Sequence, residues 1–175
     1  KSIYIKKTLN LDLEITDKYI PKLIEAHKRR NLLVHNNGIV NKVYVNNFPK
    51  DLEEEPPEQG KRISILPSYL EESIQNFELC FVIIGSEIMK KAPENLEQER
   101  VDLLLDCQYS SLDNKKFNNA IVIGHYIEND SEASEQNKLY ATINRWLAIK
   151  YDTGIGKIKN EVEQVDFTSK ARLYK

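Results

Sequence analysis

Apolar residues recur at helical spacing over most of this chain. Ile20, Leu23, Ile24, His27, Asn31 and Val34 fall on one face of a helix that must begin near Pro21, because proline is tolerated only in the first turn. Thr16 or Asp17 can cap its start. Asn37-Gly38 ends it, since glycine takes the left-handed conformation after a last turn. A second helix is expected from Pro67 to about Lys91, with Leu70, Ile74, Phe77, Phe81, Ile84 and Ile88 along one side. It should be the longest and most buried, and APEN (92–95) breaks it. Further helices are expected over 96–109 and 113–127, the latter opening at Ser111-Leu112-Asp113. The tail should hold a helix ending near Tyr151, a turn at DTGIG, a short helix and another opening at Asp166-Phe167-Thr168.

Other segments lack that period. Residues 3–15 (IYIKKTLNLDLEI) alternate loosely, as a strand or an irregular lead-in would. GIVNKVYV (38–45) is β-branched and suggests a short extended excursion or hairpin. Residues 46–61 combine adjacent prolines, a glycine and an acidic cluster, so they read as a loop whose EEE run is solvated. ENDSEASEQN (128–137) reads as a linker. The expected fold is all-α: an antiparallel bundle of four to five helices over 1–130, with a short β-like excursion after the first helix. Residues 131–175 form a helical appendage, read as the start of a further helical domain. Starting at KSIYIKK without methionine and stopping at ARLYK within a helical pattern, the chain is expected to be a piece of a longer protein.

Composition narrows the classes. A chain of 175 residues is about one domain and can bury a real core. With 30% charged residues and only 6 glycines and 6 prolines, helices are favoured over a sandwich or barrel. A net charge of −2 gives no global basicity, so nucleic-acid binding would need a local patch. Cys80 and Cys107 lie in apolar helical contexts and read as buried free thiols of a reducing, cytoplasmic compartment. Three dispersed histidines and no paired cysteines argue against a zinc site, and no other cofactor is expected. No apolar run approaches a membrane span. GIGK (154–157) lacks the spacing and the Ser/Thr of a phosphate-binding loop.

One anomaly remains, in KRRNLLVHNNG (28–38). At about 100° per residue, Arg30, Asn31 and His35 share a face about 140° wide with the first helix's apolar residues. An unpaired guanidinium is expensive to bury, so this face either finds partners or does not meet the chain's own core. The residue types suit an anionic substrate. Imidazole moves a proton near neutral pH, guanidinium clamps phosphate oxygens, and an amide orients either. Those are the needs of phosphodiester cleavage without metal, and in RNA the 2′-hydroxyl is already the nucleophile. Lys28, Arg29 and Asn36 are adjacent candidates for contacts to substrate phosphates. His27 and His125 read as hydrogen-bonded structural histidines.

R-N-L-L-V-H, Arg30 to His35, resembles the Arg–polar–x3–His signature of the HEPN superfamily, and the NNGIVN that follows is similar to several bacterial subfamilies. The resemblance covers the first helix and does not reach residues 131–175. It implies an all-α bundle and a metal-independent endoribonuclease of a bacterial toxin or antiviral-defence system, acting as a homodimer with both motif copies in one cleft. Arg30 and His35 match that family's catalytic pair, and Asn31 the polar residue after the arginine. Expected partners are RNA, a second copy, and a cognate antitoxin or other domains of the parent protein. Members neutralised by a nucleotidyltransferase often carry a tyrosine two residues after the histidine, where Asn37 stands here. Two other classes stay open. One is a non-catalytic dimerisation or RNA/nucleotide-binding module, and the other a structural bundle with a satisfied polar face.

Overall fold

The computed structural model describes residues 10–93 and 95–165. Among them are eight α-helices and no strand, so the chain is all-α. In order they are α1 (Glu14–Asp17), α2 (Ile20–Asn36), α3 (Lys42–Asn46), α4 (Pro67–Met89), α5 (Glu97–Asp113), α6 (Phe117–Glu128), α7 (Glu135–Thr153) and α8 (Lys159–Glu163). The alternating lead-in expected over 3–15 and the helix expected at Asp166 lie largely or wholly outside the described residues. Two compact units divide within α4, the first ending at Ile84 and the second beginning at Gly85. Residue 130, up to which the bundle was expected to run, lies within the second unit, where Asp130 is buried.

In the first unit α2 starts as its proline requires, with Pro21 in the first turn. Tyr19 occupies the cap position, and no side-chain capping bond forms there. Thr16, expected as a cap, is instead buried within α1 and donates from Oγ1 to the Leu13 carbonyl at 2.8 Å. At the other end Asn37 (φ 51°) and Gly38 (φ 75°) turn the chain left-handed, and Gly38 N–H caps the Leu32 carbonyl at 2.9 Å.

The expected extended excursion is reduced to one antiparallel bridge, Ile39 to Arg62. Its second half is helix α3, because the Asn41 side chain accepts from Tyr44 N–H at 2.8 Å. A good cap here outweighs the β preference of Val43 and Val45. Leu32, Val40, Tyr44 and Ile63 form the local core, with Val45 and Phe48 against it.

Two faces are turned differently from expectation. The buried residues of α2 are Glu25 and Leu32, while Ile24 is 43% and Val34 56% exposed. On α4 the buried residues are Asn76, Leu79, Cys80, Ile83, Ser86 and Glu87. Its apolar side Leu70, Ile74, Phe77, Phe81 and Ile88 is open, Phe81 to 73%. Helical spacing identified both stripes but could not say what each one meets.

In the second unit α5, α6 and α7 pack on one another, joined by short connections that fold each helix back on the last. Helix α5 runs through the expected opening at Ser111, whose Oγ donates back to the Cys107 carbonyl at 2.8 Å, and α6 begins only at Phe117. Gly124 makes the close packing possible, since an added Cβ would sit 2.5 Å from Gln108 Nε2 and 3.0 Å from Arg145 Cβ. That Gln108 nitrogen donates to the Ala120 and Ala141 carbonyls at 3.2 and 2.8 Å. The segment read as a linker is tied down: Arg100, 1% exposed, reaches Asp130 at 2.5 Å and Glu132 at 2.8 Å. Ser134 then caps α7, accepting from Asn137 N–H at 3.1 Å. No helix among the described residues is long and apolar enough to cross a membrane.

Candidate functional site

Helix α2 presents Arg30, Asn31 and His35 on its outward side. Arg30 and His35 are exposed and Asn31 is half-buried between them. Asn31 is the hub. Its Oδ1 accepts from Arg30 Nη1 at 3.2 Å, and its Nδ2 donates to His27 Nε2 at 3.2 Å. His27 therefore has the structural hydrogen bond expected of it, and that bond holds the amide which orients Arg30. His35, in the last turn, has no hydrogen bond or ion pair among the described residues, which leaves its ring available to a ligand.

The two ends of the motif face different hollows. Asn31 and His35, with Lys28 and Asn36, line a hollow of about 380 Å³ closed on its far side by α3 through Val43 and Tyr44. Arg30 and His27 line another of about 360 Å³, floored by Leu33, Ile65, Leu70 and Phe77. No hydrogen bond joins Arg30 to His35. Between the hollows runs the outward ridge of α2 that carries Ile24 and Val34.

The flanking candidates differ in freedom. Lys28 Nζ donates to the Asn47 carbonyl, and Asn36 Nδ2 donates to the Ile39 carbonyl at 2.5 Å, so both help shape the His35 hollow. Arg29 belongs to the interior. Its Nε donates to Glu25 Oε1 at 2.7 Å, its Nη1 to the Ser64 carbonyl at 3.3 Å, and its guanidinium stacks 4.1 Å from the Tyr69 ring centre. Burial, the largest single influence, would lower its pKa, but the bond to Glu25 together with the charge attraction of Glu25 and the two tyrosines outweighs it, and the net direction is up.

Pattern reasoning missed the group at the centre of that network. Glu25 is buried and also accepts from the Tyr44 and Tyr69 hydroxyls, each at 2.5 Å, joining α2 to α3 and α4. Burial, and then the bond to Glu25, push both phenols well above the usual tyrosine range. The one legible signal was Glu25 four residues before Arg29, an i,i+4 pair facing away from the apolar stripe. His125 is exposed, with Nδ1 3.1 Å from Glu128 Oε2 on its own helix. No group of three or more His, Cys, Asp or Glu among the described residues could hold a metal ion.

Fold and site together define an all-α protein with an outward-facing Arg–Asn–His array. The chain matches no protein-family model, no curated protein and no solved structure.

Proposed function

We propose that this chain is a HEPN-type, metal-independent RNA endonuclease of a bacterial defence or toxin system that acts as a homodimer. The observation that carries the reading is the exposed Arg30–Asn31–His27 chain beside a partner-free His35, all on an α2 face that its own core leaves uncovered. Within one protomer Arg30 and His35 face separate hollows, so a second copy is what would bring an arginine and a histidine to one phosphate.

The exposed stripe Leu70, Ile74, Phe77 and Phe81, beside the Arg30 hollow, gives such a dimer an apolar surface to bury. In the cleft His35 takes the 2′-hydroxyl proton or protonates the leaving 5′-oxygen. Arg30, oriented by Asn31, stabilises the charge on the phosphorane. Products would carry 2′,3′-cyclic phosphate and 5′-hydroxyl ends. Lys28 and Asn36 line the hollow that would receive the chain beside the scissile bond.

The test is cleavage of a labelled RNA in EDTA with end-group analysis. His35→Ala and Arg30→Ala should each lose about 10²-fold or more in rate while remaining folded. Wild-type protein that binds RNA but never cuts it, with binding lost mainly in Arg30→Ala, would instead establish the non-catalytic binding module.

A further inference from the structure

The hydrogen bonds around Asn31 fix where the protons sit. A guanidinium has donors and no acceptor, so Arg30 Nη1 must donate across its 3.2 Å to Asn31, and the amide oxygen must face it. The amide nitrogen then faces His27, with Nδ2 donating to Nε2 at 3.2 Å. A ring nitrogen that accepts carries no hydrogen, so this arrangement needs His27 neutral, with its one proton on Nδ1. Turning the amide over is no alternative, because Nδ2 would then oppose the donors of Arg30.

A second proton on His27 breaks that chain. Nε2–H would confront the Asn31 N–H, and the amide can satisfy an imidazolium only by withdrawing its oxygen from Arg30. Arg30 is exposed and makes no other hydrogen bond or ion pair among the described residues, so nothing else there holds its aim. The charged and titratable groups that share a hollow with His27 are Arg29 and Arg30 of α2 and Tyr69 of α4. Arg29 and Tyr69 are both bonded to Glu25, and the stretch before α4 contributes only Ile65. Among the described residues no carboxylate lines that hollow to take an imidazolium in place of Asn31.

We propose that His27 is a positioning residue whose protonation gates the site: neutral, it holds Arg30 through Asn31, and protonated, it releases Arg30. Imidazoles change charge between about pH 5 and 8. The aimed state therefore exists on the alkaline side of the His27 titration and is lost as pH falls through it. The gate rests on the ribonuclease reading for its consequence, though not for its geometry.

Long-range ¹H–¹⁵N spectra of the full chain, followed from about pH 8 to about pH 5, test it. Neutral His27 should carry its proton on Nδ1, and the Arg30 side-chain N–H signals should shift together with the His27 titration. In His27→Gln, whose amide oxygen accepts from Asn31 throughout that range, the Arg30 signals should stop responding. RNA cleavage in EDTA should fall severalfold more between about pH 7.5 and about pH 5.5 in wild type than in His27→Gln, His35 being common to both. A neutral His27 protonated on Nε2, or Arg30 signals indifferent to its titration, would overturn the gate. Cleavage that falls equally in the two proteins would overturn it too, leaving the ribonuclease intact. Coupled spectra in a chain that never cuts RNA would refute the ribonuclease and leave the gate standing.

Discussion

Replacing Glu25 by alanine tests what holds the candidate site's helix in place. The carboxylate accepts three bonds at 2.5–2.7 Å from Arg29, Tyr44 and Tyr69. The Arg29 side chain is only 12% exposed, so its charge would be left largely desolvated. Breaking one half of a buried ion pair costs about 3–5 kcal/mol. A phenol that loses its acceptor adds about 1–3 kcal/mol. Tyr69 faces a neighbouring cavity, where water replaces part of that loss. With Tyr69 so discounted, the sum is about 4–8 kcal/mol, comparable with the whole stability of many domains at about 5–15 kcal/mol. Glu25→Gln keeps an acceptor for the phenols and should cost roughly half as much. Arg29→Met in the Glu25→Ala background should recover part of the loss by removing the stranded charge. Urea unfolding followed by far-ultraviolet circular dichroism gives each value. A loss below about 1 kcal/mol for Glu25→Ala would refute the claim that this carboxylate ties α2 to α3 and α4.

Gly124→Ala should lower the melting temperature by several degrees, because the new methyl must displace Gln108 and overpacking costs about 1–3 kcal/mol. Acid should weaken the second unit. Burial, the largest single influence, would raise the Asp130 carboxyl, but the bond from Arg100, the Glu132 N–H and the charges of Arg100 and Lys90 together hold it below the usual range, and the bond from Arg145 holds Glu161 low. Carboxyls with lowered folded pKa stabilise the fold above their unfolded value of about 4 and lose that contribution as pH falls through the folded one. Melts should therefore fall steeply below about pH 5, and Asp130→Asn should flatten the slope. Cys80, its thiol pushed up to about 11 by burial, should resist iodoacetamide at pH 8 in the native protein and react once unfolded, read by mass spectrometry. Ile74→Ser with Phe77→Asp should yield a folded monomer on light scattering and abolish RNA cleavage, because both side chains are exposed and bear on no core.

The helices were legible because their period is local. Pro21, Asn37-Gly38, Pro67 and APEN punctuate the chain where α2 and α4 begin and end. The facing of those helices was not legible. Burial depends on what lies across from a stripe, and both α2 and α4 turn polar or mixed faces inward around Glu25 and Asn76. Short-range side-chain bonds also escaped. Asn41 makes α3 helical where β-branched residues suggested extension, and Ser111 bonds back to Cys107 inside α5 where a new helix was expected to open. Of the site, the nearness of Asn31 and His35, one turn apart, was visible in helical spacing, and both line one hollow. The separate hollows for Arg30 and His35 were not, because they depend on α3 and α4, which come from distant sequence.

The central claim is that two copies of the α2 end converge on one phosphodiester. A crystal structure of the assembled protein with an uncleavable 2′-deoxy RNA analogue measures it directly. The expected result is a twofold dimer with His35 and Arg30 side chains, drawn from both protomers, within hydrogen-bond reach of one phosphate, about 3 Å. A monomer, or a dimer whose His35 side chains lie on opposite faces with RNA bound elsewhere, would contradict the account.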